Sequence, residues 1–262
     1  MIRKNQSFLK KFSIFLLLTT TLYSLSSFRS MNNFAMVSSS LVYDEVLSSV
    51  TPFTFDPVVV SSFYEEKIEI FDSLDLEEKG LEFEAFHQAV KGMEVLVNEG
   101  TIARPDIITI ADFSKPSSEK RLFVIDLNNY EILFNTYVSH GRNSGKVLPT
   151  KFSNRTSSYQ SSLGFYRTGE TYNGKHGYSL RLDGLEKGIN DNARNRAIVI
   201  HGADYVAEKL IGGQGYIGRS QGCPAVSMKL HKPLINQIKD GSLLFIYSPD
   251  KNYIAKSEIL NS

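Results

Sequence analysis

From Phe83 the apolar positions fall at Phe83, Phe86, Val90, Met93 and Val97, in steps of three and four. That spacing lays one stripe along a helix, and Gly100 ends it. Gly92 lies inside this stretch, where a glycine costs about 1 kcal/mol relative to alanine, so a close packing contact at Gly92 is the expected compensation. The helix reads as a cover for one face of a sheet. Beyond Pro105 the period changes. Ile107–Ile110, Leu122–Leu127 and Ile132–Val138 are short β-branched and aromatic runs, and Asn128–Asn129 supplies a turn between the last two, which predicts a hairpin. A polar, Gly- and Ser-rich stretch from Ser139 to Ser162 follows, then strands over Leu163–Tyr166, Ser179–Leu182, Ala197–Ile200 and Leu243–Tyr247. Helices are predicted over Tyr205–Ile211 and from Pro233 to Lys239, with Gly241 as the stop of the second. Many strands, few helices and no βαβ alternation predict a mostly β, α+β domain with a few peripheral helices.

The first thirty residues have a different character. Arg3, Lys4, Lys10 and Lys11 precede an apolar run from Phe12 to Leu18 that trails off through Leu22 and Leu25, with small residues at Ser24, Ser26 and Ser27. This is the layout of a secretory signal peptide, too short and too Thr-rich for a spanning helix, with an uncleaved N-terminal anchor as the alternative. Export across the inner membrane to the periplasm or cell wall is therefore expected, with no stable membrane span after cleavage and no lipoprotein processing, because no cysteine is near. The expected organisation is a signal over 1–30, a linker or loosely attached segment over 31–62, an N-terminal helical segment over 63–104 packed on a catalytic domain over 105–250, and a C-terminal tail over 251–262.

Composition narrows the function. The chain has 262 residues, 42% of them hydrophobic, enough for a real core. Of its 29 basic side chains five lie in residues 1–30, which hold no acidic one, leaving 24 basic against 28 acidic residues beyond them. With that balance and no basic block outside the leader, nucleic acid is not an expected partner. The single cysteine rules out a disulfide framework within the chain and any all-Cys metal or cluster site.

That cysteine, Cys223, follows Gly218-Arg219-Ser220-Gln221-Gly222 and precedes Pro224. A lone thiol in an exported protein is either packed as a small apolar residue or used. Glycines on one side and proline on the other make a tight loop that presents a side chain, which favours use. A thiol with a pKa of about 8.5 needs an imidazole beside it to become a nucleophile. His201 is the best candidate, because it ends a buried-type strand and Gly202 after it leaves room. His140 and His176, each followed by glycine, sit in loops that border the site, whereas His87 and His231 read as ordinary structural histidines. Gly213-Gln214-Gly215-Tyr216-Ile217-Gly218 fits a dinucleotide fingerprint by letter but follows no strand and opens no helix. The serine-elbow reading of Gly218 to Gly222 fails because His231, the one later histidine, precedes Asp240. A metal site from His176, His201 and Cys223 lacks any short ligand pair, so neither metal nor cofactor is expected.

Ile200-His201-Gly202 followed by Ser220-x-Gly222-Cys223 resembles the active-site signature of the murein L,D-transpeptidases, the YkuD-like domain. Asp112 to Ser118, Lys120-Arg121-Leu122, His140-Gly141-Arg142, Phe152-Ser153-Asn154 and Lys175 to Leu180 are similar to further motifs of the murein L,D-transpeptidase catalytic domain family. The resemblance implies a β-sandwich of mixed sheets, a Cys223 nucleophile, His201 as base, and the Gly202 carbonyl orienting the imidazole. It also implies peptidoglycan stem peptides as partners and carbapenem sensitivity. Arg219, Ser220, Gly222, His176 and His140 form the expected substrate-binding set: Arg219 is a partner for a stem carboxylate, and the Gly222–Cys223 turn supplies oxyanion donors. Gln221 and Ala225 depart from the commoner signature, which carries His before the Gly-Cys pair and Asn or Arg two after the cysteine. A thiol hydrolase of another fold and a non-catalytic wall-binding module are the rival classes. The sequence leaves the oligomeric state open.

Overall fold

The computed structural model describes residues 62–262. The expected signal, and all of the 31–62 segment but its last residue, lie outside the described residues. Three helices come first, α1 (Ser62–Ile68), α2 (Ile70–Ser73) and α3 (Phe83–Asn98). Strands β1 (Ile107–Asp112), β2 (Leu122–Asp126), β3 (Glu131–Thr136), β4 (Gly164–Gly174), β5 (Gly177–Gly184) and β6 (Val199–Ala203) follow. The chain ends through α4 (Lys209–Gln214), β7 (Ala225–Ser227), α5 (His231–Ile238), β8 (Leu243–Tyr247) and α6 (Lys251–Lys256).

All eight strands hydrogen-bond into one mixed sheet in the order β3-β2-β1-β8-β4-β5-β6-β7. The β1/β8 and β6/β7 pairs are parallel and the other five are antiparallel. The two ends of that sheet meet. Just past β3, Ser139 donates its N–H to the Ala225 carbonyl of β7 at 2.9 Å, and Gly141 bridges Ser220 in parallel. The sheet therefore curls until the chain beyond its outer strands makes contact.

Strands β1 and β8, IITIAD and LLFIY, are buried at every position, which is why they read as unbroken apolar runs without alternation. Helix α3 lies on β1 and β8 and buries Phe86, Ala89, Val90, Met93 and Leu96. The packing contact expected at Gly92 is there: a Cβ at this position would fall 2.2 Å from Cζ of Phe165, whose ring stacks on Phe245 at 4.3 Å. Helix α5 packs on β5, β6 and β1 through Leu234, Ile235 and Ile238. It begins two residues earlier than expected, so Pro233 occupies its first turn rather than its first position.

The C-terminal tail, residues 251–262, is anchored to the core. Asp250 caps α6 by accepting from the Asn252 and Tyr253 amides at 2.9 and 3.0 Å, and Tyr253, Ile259 and Leu260 join the core. Beneath them, buried Glu186 accepts from the Phe165 amide at 2.8 Å, from the Tyr253 hydroxyl at 3.2 Å and from the Ser257 hydroxyl. The glycine-rich stretch after Tyr205 differs from expectation as well: the helix sits at Lys209–Gln214, and Gly215 caps it with φ 81°. Among the described residues no helix is long and apolar enough to cross a membrane.

Candidate active site

The parallel β6/β7 pair sets His201 opposite Ala225, two residues after Cys223. The proposed base is thus buried within a strand, and the thiol sits on the tight entry to the neighbouring one. His201 Nδ1 lies 2.9 Å from the Gly202 carbonyl. A carbonyl can only accept, so in the neutral ring Nδ1 carries the proton and Nε2 keeps its lone pair. Burial pulls the His201 pKa below the ordinary imidazole value, against the Gly202 bond, and His176 and His231 push the same way as burial. The ring is therefore held neutral, as a general base must be.

His176, exposed at the tip of the β4–β5 hairpin, stacks on the His201 ring with centroids 4.3 Å apart and planes 23° apart. It is thereby brought against His201. His231, read as structural, also borders it: its Nδ1 lies 2.8 Å from the Met228 carbonyl, and a Cβ on Gly202 would fall 2.7 Å from its ring. The bare backbone at Gly202 is what admits that ring.

Cys223 is half-buried and donates its S–H to the Ala197 carbonyl at 3.7 Å. Burial pushes the thiol pKa up, opposed first by the Val199 N–H and then by the Arg196 guanidinium. Ala197 itself has φ +53°, a left-handed conformation that costs a non-glycine residue about 1 kcal/mol or more. The signal for this segment in the sequence was weak, because Ala197 reads as the first residue of a strand that in fact opens at Val199.

The loop that carries the thiol is built from serines. Ser220 donates to the Cys223 carbonyl at 2.7 Å and accepts from the Gly222 N–H at 3.0 Å. Ser139 adds a longer bond to the same carbonyl at 3.4 Å, and Ser161 bonds the Gly222 carbonyl, also at 3.4 Å. Gly222 has φ +126°, and a side chain there would meet the Gln160 carbonyl at 2.8 Å. Two expectations change accordingly. Ser220 is buried and both its bonds go to the loop, so it holds the cysteine in place instead of facing a ligand. The Gly222 N–H is already bonded to the Ser220 hydroxyl, so it is not free to act as one of the expected oxyanion donors.

His140 also departs from the expected set. It is fully buried, with Nδ1 2.8 Å from the Arg121 guanidinium and Nε2 3.2 Å from the Gly145 carbonyl. Burial and then Arg121 lower its pKa to about 3, so it is a neutral internal brace. Its carbonyl takes the Ser220 N–H at 2.9 Å, and through that bond it supports the cysteine loop from behind. The polar, glycine-flanked setting of His140 resembles an open loop, and nothing local announces the buried arginine. Arg219 is part-exposed and bonds the Arg142 and Gly145 carbonyls at 3.2 and 3.1 Å, with Tyr216 under its guanidinium at 5.6 Å. Among the described residues no three His, Cys, Asp or Glu side chains gather to hold a metal.

No curated protein matches the sequence. Solved structures that resemble the chain include an L,D-transpeptidase from Mycobacterium smegmatis, 15% identical with a TM-score of 0.34, covering 55% of this chain and 59% of that one. L,D-transpeptidase 1 of Mycobacterium tuberculosis is 13% identical with a TM-score of 0.31, over 55% and 62% of the two chains. The L,D-transpeptidase from Stackebrandtia nassauensis is 12% identical with a TM-score of 0.34, over 71% and 77%. The chain therefore spans less than two thirds of the length of the first two. The sequence model of the YkuD_2 family, described as an L,D-transpeptidase catalytic domain, matches residues 77–247, from the turn before α3 to the end of β8. With well over half of its length covered by that model, the chain belongs to the L,D-transpeptidase catalytic domain family.

Proposed function

We propose that this protein is an exported cysteine transpeptidase that acts on the tetrapeptide stems of peptidoglycan. The observation that carries the reading is the pairing of a neutral, strand-held His201, its Nδ1 fixed by Gly202, with Cys223 at the mouth of the adjacent strand. The Cys223 sulfur gives its proton to Nε2 of His201 and attacks the carbonyl of the bond between the L-centre of the third residue, probed best as diaminopimelate, and D-Ala. The Cys223 N–H donates to the developing oxyanion, a contribution of about 3 kcal/mol, whereas Pro224 has no N–H to give. His201 returns the proton to the departing D-Ala amine, and a thioester remains on Cys223. The amine of a second stem then attacks it while His201 takes that proton, which forms a 3→3 crosslink and frees the thiol. With water as the acceptor the same steps make an L,D-carboxypeptidase. Arg219 and Gly222 border the path of the stem, and His176 covers the base.

Purified protein incubated with tetrapeptide muropeptides tests this, with products read by mass. Release of D-Ala with a crosslinked dimer supports transpeptidation, and release without a dimer supports the carboxypeptidase. Release that persists in Cys223→Ala overturns the thiol mechanism. Absence of any D-Ala release from a folded protein that still binds sacculi favours a non-catalytic wall-binding module.

A further inference from the structure

Arg196 has an unusual environment for a half-buried cation. Its Nη1 donates to the Ser153 carbonyl at 2.7 Å and the Ser162 hydroxyl at 2.6 Å. Its Nη2 donates to the Gln160 carbonyl at 2.7 Å and the Ser158 hydroxyl at 3.2 Å. Every one of these acceptors is neutral. The titratable groups whose charge reaches it are Tyr166 and Cys223, and no carboxylate is among them. A guanidinium taken out of water normally gains a carboxylate partner to offset its lost hydration. Here the bonds orient the cation without neutralising it.

Its direction is equally specific. Nη2 lies 3.3 Å from the place a Gly222 side chain would occupy, so the bare backbone at Gly222 is what lets the guanidinium approach the cysteine loop. The residues that follow Arg196 wrap the same sulfur. The Ala197 carbonyl, turned by its left-handed backbone, accepts the S–H, and the Val199 N–H points at the sulfur. One short segment thus offers an acceptor for the protonated thiol and donors for the anion. Tyr205 also interacts electrostatically with Cys223, its hydroxyl bonding Ser139 and its pKa raised by burial to about 12, and His201 on the next strand is neutral. Neither supplies a positive charge before the S–H proton moves.

We infer that Arg196 is a positioning residue for the nucleophile, its guanidinium serving as the fixed counter-charge that receives the Cys223 thiolate as the S–H proton passes to His201. The inference rests on Cys223 being the nucleophile of the proposed reaction and adds the source of its ionisation. Arg194, two residues earlier, is no substitute, because it is spent on Glu170 and Asp183 at the protein surface.

The test reads ionisation of the single thiol and needs no stem peptide. The rate of Cys223 alkylation by iodoacetamide is followed against pH in the full protein, in Arg196→Gln and in Arg196→Lys, with circular dichroism as the check on folding. Loss of the cation in Arg196→Gln raises the midpoint by about one pH unit, which lowers the thiolate fraction at neutral pH about tenfold. Arg196→Lys keeps the midpoint within a few tenths of a unit even where loss of the fork destabilises the loop. An unchanged midpoint in Arg196→Gln overturns the inference, as does an equal shift in Arg196→Lys, which would mean loop geometry and not charge. Should Arg196→Gln fail to fold, the nitrogen-15 resonance of the Arg196 guanidinium in the unmodified protein decides. The inference requires it to titrate at the thiol midpoint and to stay flat in Cys223→Ser, and a flat signal in both overturns it. A shifted midpoint without D-Ala release defeats the proposed reaction and leaves this inference standing.

Discussion

The carbonyl oxygen of Gly202 lies 2.9 Å from Nδ1 of His201, so the residue after the base fixes its tautomer through a main-chain atom. The bond is made by the main chain, and it needs no carboxylate. The imidazole is consequently oriented without gaining a negative neighbour, and burial is free to lower its pKa.

The pH profile of acylation follows. A base with a lowered pKa stays neutral to more acidic pH, so the acidic limb of kcat/KM has its midpoint below about 6.5. His201→Gln lowers kcat/KM by about 100- to 10,000-fold and abolishes that limb. Stopped-flow measurement of thioester formation across pH checks both, and a limb above the ordinary imidazole value would contradict the assignment.

Ser220→Ala distinguishes a loop brace from a ligand contact. It leaves the buried Gly222 N–H without its acceptor, a loss of about 1–3 kcal/mol in stability. Urea unfolding registers that loss, and the rate of Cys223 alkylation changes with it because the Cys223 carbonyl loses its 2.7 Å donor. A raised KM with stability unchanged would instead return Ser220 to the substrate.

Gly92→Ala reverses the usual sign of a helix substitution. In an open helix the change gains up to about 1 kcal/mol. Here the new methyl would stand 2.2 Å from the Phe165 ring, so overpacking costs about 1–3 kcal/mol and stability falls. Phe165→Leu in the same chain recovers part of it, by thermal or urea unfolding.

Glu186 makes stability depend on pH. Burial raises its carboxyl pKa, against the donors from Ser257, Phe165 and Tyr253. A carboxyl raised on folding contributes stability that is full below its unfolded value and declines as pH climbs through the folded one. Glu186→Gln removes this contribution, so the difference in unfolding free energy between parent and variant changes over that window by at most about 1.4 kcal/mol per pH unit. Asp112, raised by burial in the same direction, keeps some slope in the variant.

What the sequence disclosed follows the reach of local signals. Helix α3 shows in the apolar period because it buries a regular stripe, and β1, β2 and β8 show as unbroken apolar runs because they are buried almost throughout. Strand β7 has three residues, too few for any period, and it is defined by its partner β6. The outer half of β4, Gly169 to Gly174, is polar and at least partly exposed, so the hairpin that carries His176 is written in pairing rather than in hydrophobicity. Cys223 and His201 were legible from glycine and strand context. His140 and Arg196 were not, because their roles depend on what lies across the fold. Arg194 and Arg196 are indistinguishable in the run Asn190 to Arg196, yet one meets carboxylates at the surface and the other turns toward a sulfur.

The place of β8 has a consequence for how the site is closed. Its five residues are made after every other strand, yet they lie in the middle of the sheet, joining β1 on one side to β4 on the other. Until Leu243–Tyr247 emerges and inserts, the half bearing His201 and the half bearing Ser139 have no ladder between them, and the outer strands cannot meet around Cys223. Closure of the sheet around the candidate site therefore depends on the strand that comes last in the chain.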